Sequence, residues 1–579
     1  MKRFRHFFTA WIENYKLLLL ASLPALALTA FGLYQLEING IWIWTAVLGA
    51  RLFTEFAFLG ACLALLNLLG IRNKWLLAFL LYIYYLATTA DFVLLWYFKE
   101  RFGAKYLDTL KGGDYDFVSD WRILSYLILV FAFCAFSVRK LLRSQTRADS
   151  ARQLTVCAVV LSVFAFCSPM GLLPEPNDFF ASYLMAPSPV YTLRAVLTPA
   201  PKAVVTSSLS DKTAQTAKKY NVFSARNTGV GKDYKRVILI ATESLSAKYM
   251  HRFNPLIPPA ASRTYDRIFE QYPSATLHTV TLSTLYGLSV IFSSHPHAEL
   301  SYQNAYPLSL VKELKKNGFH TAFLRGAHED YMDENILFHQ AGFDEVRGRK
   351  FFSDLEPYKN YIDWWGLTDR KLFEYAVDYL AQRKNDKVFL TLLTVDTHVP
   401  LGRDDYLGQE YEEIDAPFYN VPTMPRAYAR AGQDLARFLR LLKKKGLMDE
   451  QTLVIVTGDH PSYSNTPTNA LFKPYQRVFD RIPFAVITPA PIQKPLTQNQ
   501  LASQLDIAPT VLDLLNLPQP KGFFGHSLFD ADARRSVFDI KEDYAVVTTE
   551  EGKRIVALNS ADAQDKEIIR LFTTFVKAE

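Results

Sequence analysis

Two hydrophobic patterns divide this chain. Between residues 16 and 173 apolar side chains run almost unbroken in five blocks, at about 16–35, 45–70, 75–98, 122–138 and 154–173. Each is close to the roughly 20 residues that a helix needs to cross a bilayer. Beyond about residue 235 the apolar runs become short and β-branched: VILIAT at 237–242, TAFLR at 321–325, VFLTLLT at 388–394, TLVIVT at 452–457 and FAVIT at 484–488. Stretches of helical period separate them, including Tyr302–Asn317, Thr368–Arg383 and Ala427–Lys445. Short continuous apolar runs alternating with helices predict an α/β domain, with a mainly parallel central sheet between helices and buried on both faces.

The stretch between the two patterns is rich in Pro, Ser, Thr and Lys, as in PEPND, APSPVY, LTPAPK and TSSLSDKTAQTAKK. The predicted organisation is therefore a five-helix transmembrane domain at 1–173, a linker at 174–234 and an extracytoplasmic catalytic domain at 235–579. Interfacial helices fit the linker, where Phe179, Phe180, Tyr183 and Leu184 suit a membrane surface.

Charge orients the membrane part. Lys2, Arg3 and Arg5 precede the first block, Arg72 and Lys74 join the second to the third, and Arg139, Lys140, Arg143, Arg147 and Arg152 join the fourth to the fifth. Basic loops stay in the cytoplasm, so five spans leave the C-terminal domain outside. The first block is too long for a removable signal peptide and lacks a small-residue cleavage signal, so it is expected to be retained. The net charge of +7 is read as membrane topology, without a nucleic-acid partner. Arg51, Glu55 and Asp91 fall in or near spans, where charge marks either a head-group surface or a structural pair. Arg51 and Glu55 are four apart, on one helix face. The four cysteines, Cys62, Cys134, Cys157 and Cys167, all lie in apolar stretches and read as small core residues. The downstream domain must therefore be stable without disulfides.

In an open α/β sheet, ligands bind beyond the carboxyl ends of the strands. Glu243 follows the first run, Asp396 and His398 the third, and Asp459 and His460 the fourth. Carboxylates with imidazole suit a divalent cation of the manganese or zinc type. A nucleophile would come from the hydroxyl-rich stretch at 276–289, where composition does not rank Thr279, Thr281, Ser283 and Thr284. His295 and His297 flank Pro296 and fit either a second metal or acceptor contact or a simple turn.

Seven segments resemble the sulfatase-like phosphotransferases of the alkaline phosphatase superfamily, a group that includes lipoteichoic acid synthase, phosphoglycerol transferases and phosphoethanolamine transferases. They are VILIATESLS at 237–246, STLYGLSVIFSS at 283–294, HTAFLRGAHEDYMDENILFHQAGFDEV at 320–346, WWGLTDRKLFEYAVDYL at 364–380, FLTLLTVDTHVPL at 389–401, VIVTGDH at 454–460 and LDIAPTVLDLLNL at 505–517. The resemblance implies metal ligands Glu243, Asp459 and His460, with Thr284 as both nucleophile and ligand. It also implies that His398 binds the substrate phosphate or gives the leaving oxygen a proton. Asp396 then either orients His398 or only ends its strand.

The resemblance further implies one divalent ion, Mn or Zn, with room for a second. The donor would be a membrane phospholipid and the acceptor an envelope glycan or lipid A, at the cytoplasmic membrane of a bacterium. No C/S-x-P-x-R motif of the kind that sulfatases convert to formylglycine follows the first strand, which argues against sulfate ester hydrolysis. The absence of cysteine after residue 167 favours phosphoglycerol over phosphoethanolamine as the transferred group. At the head-group position, however, Met332 and Glu334 stand where lipoteichoic acid synthases carry Trp and Arg. A carboxylate there would attract an ammonium group, so phosphoethanolamine transfer stays as the alternative. A non-catalytic lipid-binding membrane module is the reading from another class.

Overall fold

The computed structural model describes residues 204–296, 306–329, 334–362, 365–398, 423–462, 474–475, 480–497, 500–540, 544–558, 560 and 562–576, with scattered helical positions between 25 and 91. The chain divides into two compact units, Met1–Ala200 and Pro201–Glu579. Most of the five expected spans lie outside the described residues, and among those described no helix is long and apolar enough to cross a membrane. Within the first unit, Arg51 and Glu55 are buried and paired at 2.5 Å, and the Tyr84 hydroxyl donates to Glu55. That is the structural pair of the two sequence readings.

The second unit contains strands β1 (Val204–Thr206), β2 (Arg236–Thr242), β3 (Ser274–His278), β4 (His320–Arg325), β5 (Glu345–Arg347), β6 (Val388–Leu393), β7 (Thr452–Gly458), β8 (Arg481–Ile487), β9 (Val537–Ile540), β10 (Tyr544–Thr549), β11 (Gly552–Ala557) and β12 (Thr574–Val576). Its main helices are α1 (Asp211–Tyr220), α2 (Pro259–Gln271), α3 (Thr284–Ser293), α4 (Leu310–Lys316), α5 (Glu334–Ala341), α6 (Asp369–Gln382), α7 (Thr423–Lys444), α8 (Ile507–Leu514) and α9 (Ala563–Thr573). The central sheet has the order β3-β8-β7-β2-β6-β4-β5. It is mixed: β8 runs against both β7 and β3, and the other strands share one direction. The run at 484–488, expected in a mainly parallel sheet, is this reversed strand.

β2 is the centre of the sheet, and the run of β-branched and aliphatic residues explains why. Val237, Leu239 and Ala241 enter one apolar core with residues of α3, α4 and α8, while Ile238 and Ile240 enter the opposite core with residues of α2, α6 and α7. With both faces covered, every residue of β2 is buried. Register aligns the strand ends: Thr242 of β2 pairs with Gly458 of β7, and Ala241 with Leu393 of β6. The next residues in each chain, Glu243 and Asp459, therefore emerge side by side. The helix expected at Tyr302–Asn317 is described from Leu310, where the Ser309 hydroxyl accepts from Val311 N–H as its N-cap.

The segment expected as a linker is partly folded into this unit. β1 pairs in parallel with β12, and Ala217 and Tyr220 of α1 share a core with Ile568, Leu571 and Phe572 of α9 and with the antiparallel sheet β9–β11. Thr213 donates to Glu567 at 3.1 Å, and Asp513 accepts from both the N–H and the hydroxyl of Thr228. Phe179, Phe180, Tyr183 and Leu184 lie outside the described residues.

Candidate active site

At the end of β2 the backbone turns sharply. Ser244 has φ +53°, a left-handed conformation that is costly for a residue with a side chain. Its hydrogen bonds hold it there. Ser244 N–H donates to Asp459 Oδ1 at 2.8 Å, its hydroxyl donates to Glu243 Oε1 at 2.7 Å, and its carbonyl accepts from the Tyr428 hydroxyl. Glu243 itself is tied to the neighbouring strand: its N–H donates to Thr394 Oγ1 at 2.9 Å, and its carbonyl accepts from Thr397 Oγ1 at 2.5 Å.

Glu243, Asp459 and His460 offer ligand atoms that all lie within 4.8 Å of one another, and all three residues are buried. His460 Nε2 is 3.4 Å from Glu243 Oε1 and 3.6 Å from Asp459 Oδ2. The other ring nitrogen, Nδ1, sits 3.0 Å from the Pro461 carbonyl, which can only accept. Nδ1 therefore carries hydrogen and Nε2 faces the cluster, the orientation of a metal-ligating imidazole. Among the described residues no donor bonds the buried Asp459 Oδ2. A buried orphan carboxylate oxygen is expensive unless a cation satisfies it, so these residues fit a divalent ion.

The electrostatics agree. Burial, and after it the charge of Glu243, pushes the Asp459 carboxyl up to about 8. Burial would pull the His460 imidazolium down, but Asp459 and Glu243 outweigh it and raise it to about 9. Burial likewise raises Glu243, yet His398 and His460 outweigh that and hold it below the usual carboxylate range. Two carboxylates so close in a dry site cannot both ionise without a positive charge between them.

Of the four hydroxyl residues left open by composition, Thr284 reaches this cluster. Its hydroxyl donates to Glu243 Oε2 at 3.1 Å and lies 3.2 Å from His460 Nε2. Thr279 instead bonds the Thr281 carbonyl, and Ser283 is the N-cap residue of α3. Thr284 is the first residue of α3, so it stands where free N–H groups and the helix dipole favour an anion. α3 approaches the end of β7 closely because residue 287 is glycine: a Cβ there would lie 2.2 Å from the Asp459 carbonyl oxygen. Gln504, fully buried, clamps the contact by donating to the Asp459 carbonyl at 2.5 Å and the Gly287 carbonyl at 3.2 Å. Nothing in the local sequence marks Gln504; only the fold brings it to these carbonyls. Ser244 carries one signal in the sequence, adjacency to Glu243.

His398 stands past the end of β6, with its ring 4.0 Å from that of Trp365. Asp396 has other partners. The Asp396 carboxylate pairs with Arg430 at 2.6 Å and accepts from Asp369 N–H at 3.2 Å. Glu334 departs from expectation as well: it is buried and paired with Arg325, so its charge is neutralised within the protein and not offered to a head group. Glu329 is similarly occupied by the N–H groups of Lys350 and Phe351. Met332 and His297 lie outside the described residues. His295 is buried and stacked on Phe575 at 3.9 Å, with Nε2 3.3 Å from the Thr574 carbonyl, a core position.

Residues 235–517, just under half of the chain, match the sulfatase family model. The ulvan-active sulfatase of Formosa agariphila is 25% identical over 261 residues, which is 39% of this chain. The chain spans about half, 50%, of that curated relative's length. A solved protein of the alkaline phosphatase superfamily from Vibrio parahaemolyticus aligns with TM-score 0.48 and 18% identity, over 63% of this chain and 95% of its own. The lipoteichoic acid synthase LtaP from Listeria monocytogenes aligns with TM-score 0.46 and 18% identity, over 62% of this chain and 96% of its own.

Proposed function

We propose, for a chain whose residues 235–517 match the sulfatase family model, that it moves a phosphoglycerol head group from a membrane phospholipid to a glycan hydroxyl through phosphorylated Thr284. The observation that carries this reading is the Thr284 hydroxyl at 3.1 Å from Glu243 and 3.2 Å from His460, on the first residue of a buried helix. The residues from that position read Thr284-Leu285-Tyr286-Gly287-Leu288, without the Pro and Arg of a formylglycine signal. A threonine ester of phosphate is a competent covalent intermediate, whereas a sulfatase needs an aldehyde hydrate.

Glu243, Asp459 and His460, with Thr284, would hold one divalent cation, which supplies Lewis acidity to the hydroxyl and to the phosphoryl oxygens. The Thr284 hydroxyl proton points along its hydrogen bond to Glu243 Oε2. Thr284 Oγ1 attacks phosphorus as its proton passes to Glu243 Oε2, the bond to the glycerolipid oxygen breaks, and His398 gives that oxygen its proton, so that diacylglycerol leaves. A glycan hydroxyl then attacks the phosphothreonine, His398 accepts its proton, the bond from phosphorus to Thr284 Oγ1 breaks, and Thr284 takes its proton back from Glu243. The N-terminal N–H groups of α3 face the anionic phosphoryl group throughout.

Two observations favour glycerol over ethanolamine. Arg325 neutralises Glu334, which removes the carboxylate that would have drawn an ammonium group, and no cysteine follows residue 167. The five spans expected within 1–173 would tether the enzyme to the bacterial cytoplasmic membrane, where the lipid donor lies, with this domain outside. The test is the intact mass of the full-length protein in detergent micelles after incubation with Mn or Zn and either phosphatidylglycerol or phosphatidylethanolamine. A glycerophosphate adduct that Thr284→Ala abolishes is expected. An ethanolamine-phosphate adduct would move the donor to the alternative, and no adduct from either lipid with metal bound would sink the transferase reading.

A further inference from the structure

The segment that carries His398 is held from below by carboxylates. Val395 N–H donates to Asp369 Oδ1 at 2.7 Å and Asp396 N–H donates to the same oxygen at 3.3 Å. In return, Asp369 N–H donates to Asp396 Oδ2 at 3.2 Å, and Arg430 closes the arrangement on that oxygen at 2.6 Å. The turn that follows is short: His398 N–H donates to the Val395 carbonyl at 2.9 Å. Asp369, Asp396 and Arg430 are all buried. The same strand-to-helix segment that delivers Asp369 also delivers Trp365, whose ring meets the His398 imidazole at 4.0 Å. That segment sits close on β4, since Leu367 N–H donates to the Gly326 carbonyl at 3.0 Å and a Cβ on Gly366 would lie 2.0 Å from the same oxygen.

Such a construction exceeds what ending a strand requires. A buried carboxylate that accepts two consecutive N–H groups fixes the direction of the backbone there, and His398 is two residues further on. We infer that Asp369 is a positioning residue for His398, its carboxyl group setting the 395–398 turn that aims the imidazole at the leaving oxygen. The inference rests on the proposed proton-donor role of His398. Burial and the neighbouring Asp396 charge push the Asp369 carboxyl well above its ordinary range. A neutral acid still accepts both N–H groups at Oδ1, and an asparagine does so in the same way.

The test separates proton donation from mere integrity of the fold by comparing leaving groups in the first turnover, the release that precedes any role of His398 as base, in full-length protein with Mn in detergent micelles. Diacylglycerol leaving from phosphatidylglycerol needs a proton, whereas nitrophenolate leaving from bis(p-nitrophenyl) phosphate does not. Asp369→Ala is expected to slow the lipid reaction ~100-fold, the scale of a misplaced general acid, and the nitrophenyl reaction by less than ~3-fold. Asp369→Asn should restore both rates to within ~3-fold of wild type. Should Asp369→Ala not accumulate, Asp369→Ser takes its place, since a hydroxyl is too short to reach the two N–H groups yet suits a helix N-terminus. His398→Ala is the reference. If it loses the lipid reaction selectively and neither Asp369→Ala nor Asp369→Ser does, the positioning role is overturned alone. If His398→Ala slows both substrates equally, the proton-donor reading falls and the positioning role falls with it.

Discussion

Two pairs of buried carboxylates sit at the same edge of the central sheet, and their partners differ. On the β4/β6 side, Glu334 is matched by Arg325 and Asp396 by Arg430. On the β2/β7 side, Glu243 and Asp459 face each other across His460 and a threonine hydroxyl, with no arginine among their described ion pairs. Both pairs are out of water, where an unmatched charge is costly. The protein meets that cost with arginine in one place and, in the other, gathers groups that a cation would balance. Proximity to a strand end therefore does not distinguish chemistry from architecture, and the nature of the counter-charge does.

The contrast breaks most sharply under one kind of substitution applied to both sides. Glu243→Gln should cost on the order of 10³-fold in metal-dependent turnover, because it withdraws a charged ligand from the reacting centre, while the metal-free protein melts no lower than wild type. Steady-state rates and melting curves without metal report the two halves. Glu334→Gln should behave in the opposite way, losing about 3 kcal/mol of stability by stranding Arg325 while leaving the choice between glycerol and ethanolamine lipids unchanged. Denaturant unfolding together with donor competition would show it. A shift toward the ethanolamine lipid would mean that Glu334 does meet the head group.

A smaller effect is expected from Gly287→Ala, whose new methyl would collide with the Asp459 carbonyl and push the start of α3 away from the metal ligands. About a 100-fold loss in the rate of adduct formation follows from a displacement of roughly 1 Å, measurable by quenched intact-mass kinetics. The smallest effect is one of pH. Asp459 rises from its ordinary 3.8 to about 8 and His460 from 6.5 to about 9. Between about pH 6.5 and 9 the metal-free native state thus binds more protons than the unfolded chain, so these groups make stability fall as pH rises through that window. Metal must displace those protons, so apparent metal affinity should climb over the same range. Calorimetric titration in buffers of different ionisation enthalpy counts the protons released, and a flat affinity between pH 6.5 and 9 would contradict the raised values.

Much of this corner was legible in the sequence because each ligand follows directly on a continuous apolar run. VILIAT ends one residue before Glu243, TLVIVT is followed by Gly458, Asp459 and His460, and a buried parallel strand leaves few other places for a charge to go. Thr284 was less so: four hydroxyls preceded an apolar helix, and selecting one required either the family resemblance or the helix start itself. The reversal of β8 was not legible, since an apolar run has no direction and Pro483 interrupts the pattern that would have marked its beginning. Nor were the partners of Glu334, Asp396 and Gln504. Arg325 ends a strand, Arg430 lies within a helix 34 residues beyond Asp396, and Gln504 meets two backbone carbonyls. No periodicity encodes contacts of that kind.

The pairing of β1 with β12 bears on how the chain is made. Val204 waits for Thr574, a partner synthesised only after the whole central sheet, and α1 waits for α9. The first described strand of this unit therefore leaves the ribosome with an unsatisfied edge and keeps it until the central sheet has been built. A chain that stalls or is cut before residue 574 would hold the metal ligands and nucleophile yet lack the strand that closes the unit.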